Sequence, residues 1–122
     1  MTAYRLETYL KDFVRACVIE SYRAVPGVVP AGGADEQARL DRFDVRPSDR
    51  PEFGDYSANL AMLEAKARGV APRELAEGIT HELVARFAKD GILRAEVAGP
   101  GFINVTLEPS CIHGALRALL SA

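Results

Sequence analysis

No CxxC pair, no HxxxH spacing and no long apolar run occurs in this chain, and each absence closes a class of function. A membrane-spanning helix needs roughly 18 to 20 consecutive apolar residues. The N-terminal MTAYRLETYLKDF carries charge where a secretory leader would need an apolar block, so a cytoplasmic location is expected. The two histidines, His81 and His113, and the two cysteines, Cys17 and Cys111, lack the spacing that holds zinc, and no metal site is expected. Each cysteine sits within an apolar helical pattern, where a reduced thiol behaves as a small hydrophobe. Also missing are a nucleophile elbow, a P-loop, an HExxH helix and a dinucleotide fingerprint. No catalytic residue and no cofactor are therefore expected. Surplus positive charge is lacking too: 15 Lys and Arg stand against 17 Asp and Glu, a formal net charge of -2. A chain so balanced does not hold nucleic acid by a strong positive field alone.

What is present is enough for one core. With 122 residues, 48% of them hydrophobic, and no internal repeat, the expectation is a single domain over 1–122. Leu6, Tyr9, Leu10, Phe13, Val14, Cys17, Val18 and Tyr22 recur at intervals of three and four, which predicts one amphipathic helix from Ala3 to about Val25. Pro26-Gly27 stops it, and the Pro- and Gly-rich VPGVVPAGGADEQ predicts a surface loop from Val25 to about Gln37. The alternation in Leu40 to Arg46 predicts a short strand closed by Pro47. A helix is expected from about Ser57 to Arg68, with Asp55 or Ser57 as its cap. Pro72 and Glu74 suit the first turn of the next helix, whose buried stripe would be Leu75, Ile79, Leu83 and Phe87, with Ala76 and Val84 beside it. Its charged faces, Arg73, Glu74, Glu77, Glu82 and Arg86, read as solvated surface, and Glu64 with Arg68 as a simple i, i+4 pair. A last helix is expected from Pro109 or Ser110, carrying Ile112, Leu116, Leu119 and Leu120.

Ile92 to Val97 and Phe102 to Leu107 predict the two arms of a hairpin reversed at Gly99-Pro100-Gly101. In the first arm Leu93, Ala95 and Val97 would face one way and Arg94 and Glu96 the other. In the second, Ile103, Val105 and Leu107 make an apolar face, which leaves Phe102, Asn104 and Thr106 on the opposite side. An exposed aromatic can stack on an unpaired base, and an amide two residues on can exchange hydrogen bonds with a base edge. The pattern by itself favours the plainer arrangement, a Phe102 partly covered by a neighbouring loop and an Asn104 that is merely solvated. Four helices and three or more strands, unevenly arranged, predict an α+β fold: two layers, a small antiparallel sheet with about four helices on one face.

The pieces PEFGDYSANLAMLEAKARGVAPRELAEGI and VAGPGFINVTLEP, in this order and at this separation, resemble the N-terminal additional domain of arginyl-tRNA synthetases. The resemblance runs from about Val45 to the C-terminus. It implies a small α/β layer fold that reaches the outer corner of the tRNA and takes hold of an unpaired D-loop base. Carried over residue by residue, the aromatic is Phe102 and the amide Asn104, with Gly101 next to them; apart from the family match, nearby Arg94 or Arg46 is expected to meet phosphates. Gly54, Asp55 and Tyr56 match the family's other signature and, like Gly99 and Pro100, are assigned structural roles. The implied partners are an arginine-specific tRNA and the catalytic domain of a synthetase, with no membrane. HIGH-like and KMSKS-like signatures are absent, so the chain alone is not expected to activate arginine. The alternative is a free-standing relative that has kept the fold and docks another protein.

Overall fold

The computed structural model describes residues 2–28, 33–48 and 54–112, with side chains from Leu6 onward. Helix α1 spans Thr2–Ala24, α2 Ala34–Arg42, α3 Leu60–Arg68 and α4 Pro72–Phe87, with a 3-10 turn at Ala88–Asp90. Strands β1 (Val45–Pro47), β2 (Tyr56–Ala58), β3 (Ile92–Ala98) and β4 (Phe102–Leu107) form one antiparallel sheet in the order β1-β2-β4-β3. Helix α1 packs against α4, α3 also packs against α4, and α4 lies along β3. This is the α+β architecture that the sequence predicts. Among the described residues, no helix is long and apolar enough to cross a membrane.

The core follows the helical and strand periodicities. Leu10, Val14, Cys17, Val18 and Tyr22 of α1, Leu75, Ala76, Ile79 and Leu83 of α4, and Ile103, Val105 and Leu107 of β4 share one buried cluster. Tyr9 and Val84, expected on the buried stripes, are exposed because each sits at the margin of its helix's apolar arc. Burial pushes the Cys17 thiol up to about 12, reinforced by the negative ends of Asp90, Cys111 and Glu20, and so keeps it a neutral hydrophobe.

Three features differ from expectation. The segment expected as loop and then strand forms α2, whose Glu36 and Leu40 are buried one turn apart. Asp35 and Glu36 in its first turn and Arg39 and Arg42 in its last complement the helix dipole, a signal weaker than the Pro and Gly upstream. Residues 56–58 are strand and the helix starts only at Leu60, because pairing of Tyr56, Ser57 and Ala58 with Val105, Asn104 and Ile103 overrides local helix propensity. In β3 an irregularity between Ile92 and Arg94 turns Leu93 outward and gives the core position to Ile92. Residues 109–112 begin a helix as expected, whereas Leu116, Leu119 and Leu120 lie outside the described residues.

Gly54 and Asp55 join the two halves of the sheet. A Cβ on Gly54, whose φ is +97°, would lie 2.9 Å from both Thr106 Oγ1 and the Val105 carbonyl oxygen. Only glycine tolerates both that dihedral and that approach. Asp55 does not cap a helix; its N–H donates to the Val105 carbonyl at 2.8 Å and its Oδ2 accepts the Leu107 N–H at 2.7 Å. Tyr56, next in line, is buried in the core. Gly54→Ala is expected to cost about 2 kcal/mol of stability through backbone strain and displacement of β4. Urea unfolding checks this, and a loss below about 0.5 kcal/mol would mean that β4 yields freely.

Candidate functional site

Strand alternation assembles a polar face from all four strands, opposite the buried cluster. The register sets Arg46 against Ser57, Ser57 against Asn104 and Asn104 against Glu96, one row crossing β1, β2, β4 and β3. One pair further along β4, Phe102 stands opposite Ala98; one pair the other way, Thr106 stands opposite Arg94. Phe102 is 39% exposed while Ile103 and Val105, either side of Asn104, are fully buried. The aromatic and the amide thus share the outer face, with Phe102 the open member and Asn104 half-buried.

The hairpin tip that carries Phe102 is anchored from below. A Cβ on Gly101 would meet Pro72 Cβ at 3.1 Å and Met62 Cγ at 3.3 Å, so the loop is seated against the start of α4 and the side of α3. Gly101 is buried and supports the face from beneath. Arg73, expected as mere solvated surface, donates from Nη1 to the Gly99 carbonyl at 2.6 Å and ties the tip to α4. Gly99 and Pro100 form the exposed turn itself. Holding the turn at two points spares Phe102 part of the ordering cost that a free loop would bear on binding.

Charge on the face is mixed. Arg46 Nη2 lies 3.2 Å from Asp44 Oδ2, and Arg94 Nε lies 3.3 Å from Glu96 Oε1; all four side chains are more than half exposed. Exposed pairs of this kind contribute about 0–1 kcal/mol, so either guanidinium can exchange its carboxylate for another anion at little cost. The two arginines sit toward opposite edges of the sheet, separated by β2 and β4.

Three side chains of this face escaped sequence reasoning. Asp44, Ser57 and Asn59 join Arg46 and Phe102 around an open concavity of about 210 Å³ on the β1–β2 side. The Asp44 N–H donates to Asn59 Oδ1 at 2.7 Å, and the Asn59 N–H donates to the Asp44 carbonyl at 3.2 Å, which continues the β1–β2 pairing by one residue. Asn59 stands at the start of α3 without capping it. The alternation Tyr56, Ser57, Ala58, Asn59 holds the signal, but three strand residues are too few to outweigh the helical pattern that follows.

Helices against one side of a four-stranded antiparallel sheet, with a polar, aromatic-bearing face on the other, define a two-layer α+β domain whose outer sheet surface is covered by none of the described helices. The chain belongs to the arginyl-tRNA synthetase N-terminal domain family, whose sequence pattern, described as "Arginyl tRNA synthetase N terminal domain", matches residues 6–107. An arginine-tRNA ligase of Prochlorococcus marinus (strain MIT 9313) is 32% identical over 124 residues, which cover 99% of this chain and 20% of that protein. The arginine-tRNA ligase of Sodalis glossinidius is 48% identical over 79 residues, covering 64% of this chain and 13% of the relative. That of Gluconobacter oxydans is 38% identical over 99 residues, covering 81% and 15%. The chain spans a fifth or less of the length of these relatives.

Proposed function

We propose that this chain is a tRNA-binding module that grips an unpaired D-loop base at the outer corner of an arginine tRNA and so positions the tRNA for aminoacylation by the catalytic domain of a synthetase. The observation that carries the proposal is the exposure of Phe102 beside Asn104 on a strand whose intervening residues are fully buried. Phe102 stacks on the base, and the Asn104 amide, which offers both donor and acceptor, reads its edge. Arg46 and Arg94 meet phosphates on either side, and Gly101, seated against Pro72 and Met62, holds the tip in place from beneath. Membership of the family and the resemblance of relatives named arginine-tRNA ligase support the choice of tRNA. The contacts add orientation and affinity; the chemistry of arginine activation belongs elsewhere in the parent enzyme.

The test is an NMR titration of the labelled chain with an unmodified arginine tRNA transcript, with a transcript changed at the D-loop base, and with Phe102→Ala. Shifts centred on residues 99–106 and weakened by either change are expected. Loss of one base stack amounts to about 1–3 kcal/mol, so Phe102→Ala should weaken binding roughly 5- to 150-fold. Affinity should also fall as salt rises, and Arg46→Ala should flatten that dependence by close to one phosphate contact. Shifts elsewhere, or salt-independent binding that survives Phe102→Ala, would sink the proposal in favour of a protein-docking role.

A further inference from the structure

The concavity beside Phe102 is chemically distinct from the stacking position. Its walls are Asp44, Arg46, Ser57, Asn59 and Phe102, whereas Asn104 lies one pair along β4. At about 210 Å³ it holds several times the roughly 30 Å³ share of one water and falls short of the roughly 300 Å³ at which drug-sized pockets begin. That is room for one heterocyclic base. The polarity of the walls is set by the backbone. Because Asn59 Oδ1 accepts the Asp44 N–H, the amide is fixed with its oxygen toward the backbone and presents its N–H donors to a ligand. Asp44 offers only acceptors, and it is half-exposed and held by a single surface pair to Arg46.

We infer that this concavity is a second nucleotide subsite that takes a guanine base, next to the base held by Phe102 and Asn104. The inference rests on the proposed RNA-binding role. A carboxylate accepts two parallel N–H donors best, and guanine alone among the four bases presents two adjacent ones, N1–H and N2–H. Its O6 lies beside them and meets the Asn59 N–H. Adenine and cytosine each place a ring-nitrogen lone pair next to their single amino group, against the second carboxylate oxygen. Uracil places two carbonyls around a single N–H, with the same repulsion. Arg46, on the outer wall, faces the phosphate that follows, and Ser57 donates or accepts as the base requires. The strand of RNA then runs from β4 over β2 toward β1.

The labelled chain is to be titrated with GMP, inosine monophosphate, AMP and the trinucleotides UGU and UAU, followed at the amides of Asp44, Ser57 and Asn59. GMP is expected to bind about tenfold tighter than AMP, with inosine, which keeps N1–H and loses the amino group, in between. UGU should bind at least about threefold tighter than GMP, since a flanking base can stack on Phe102. Asp44→Asn, which leaves the backbone pairing to Asn59 in place, should bring GMP and AMP to within about threefold. Equal responses to GMP and AMP, or shifts confined to residues 102–106, would overturn the subsite and leave the proposed function standing. Equal affinity for GMP and UGU would overturn its assignment to RNA. Conversely, a tRNA response that ignores Phe102 would overturn the proposed function, while the guanine preference at Asp44 is read independently of it.

Discussion

Glu64→Ala is expected to lower the unfolding free energy by about 3–5 kcal/mol, the largest effect of any single substitution considered. Glu64 is fully buried, and it binds two helices to a third. Its Oε1 accepts the Tyr22 hydroxyl of α1 at 2.7 Å, and its Oε2 pairs with the Arg39 guanidinium of α2. Arg68, one turn further along α3, donates to the Tyr22 oxygen. The alanine variant strands a buried hydroxyl and a guanidinium that is only 21% exposed, and it leaves a void where four heavy atoms stood. Against a total stability of about 5–15 kcal/mol for a domain of this kind, such a loss brings the fold near its limit. Urea unfolding of the variant and of Tyr22→Phe and the double mutant gives the coupling energy directly, and additive losses would show that Tyr22 and Glu64 do not act together.

The second large effect appears at alkaline pH. Burial, strengthened by the hydrogen bond to Glu64 and opposed by Arg68, pushes the Tyr22 hydroxyl from its ordinary 10 up to about 12. The neutral phenol is thus favoured in the folded state. Its contribution is complete below pH 10, the unfolded value, and is lost as pH rises from 10 to 12. Two units correspond to about 3 kcal/mol. Stability measured in urea at pH 9, 10, 11 and 12 should fall through that window; the Cys17 thiol, raised from its ordinary 9 to about 12, adds its own loss from pH 9 upward, so Tyr22→Phe should remove only the part that sets in above pH 10 and Cys17→Ala the part that begins at pH 9. A Tyr22→Phe profile that tracks the parent would assign the alkaline loss to other groups. Cys17 is the first to examine in that event, followed by Tyr56, whose hydroxyl is also raised by burial and by Glu7 and Asp55.

Both effects come from a cluster that the sequence presents in disguise. Glu64 and Arg68 stand at i, i+4 on a short helix, the pattern of an exposed pair, and only the approach of α1 and α2 converts the site into a buried junction. The same holds for Arg73, whose role is invisible until the hairpin tip is placed beside it. By contrast the α1 stripe, the α4 stripe and the two-sided character of β4 are legible in the chain. There, periodicities of 3.6 and 2 act over enough residues to outweigh competing signals. Where an element is short, as at Tyr56 to Ala58, or carries one large apolar residue, as α2 does at Leu40, periodicity has too few points and neighbours decide.

The split has a physical basis. Local covalent geometry makes alternate side chains of an extended segment face opposite ways, so FINVTL by itself determined that Phe102 and Asn104 share a face and that Ile103 and Val105 share the other. Covalent geometry says nothing about which strands lie alongside. That Ser57 and Arg46 complete a row with Asn104, that Asp44 and Asn59 wall a concavity against Phe102, and that Glu64 lies at a three-helix junction were decided by tertiary structure alone. These contacts join residues more than ten positions apart, whose relative placement depends on closing the core and pairing the sheet rather than on any local preference.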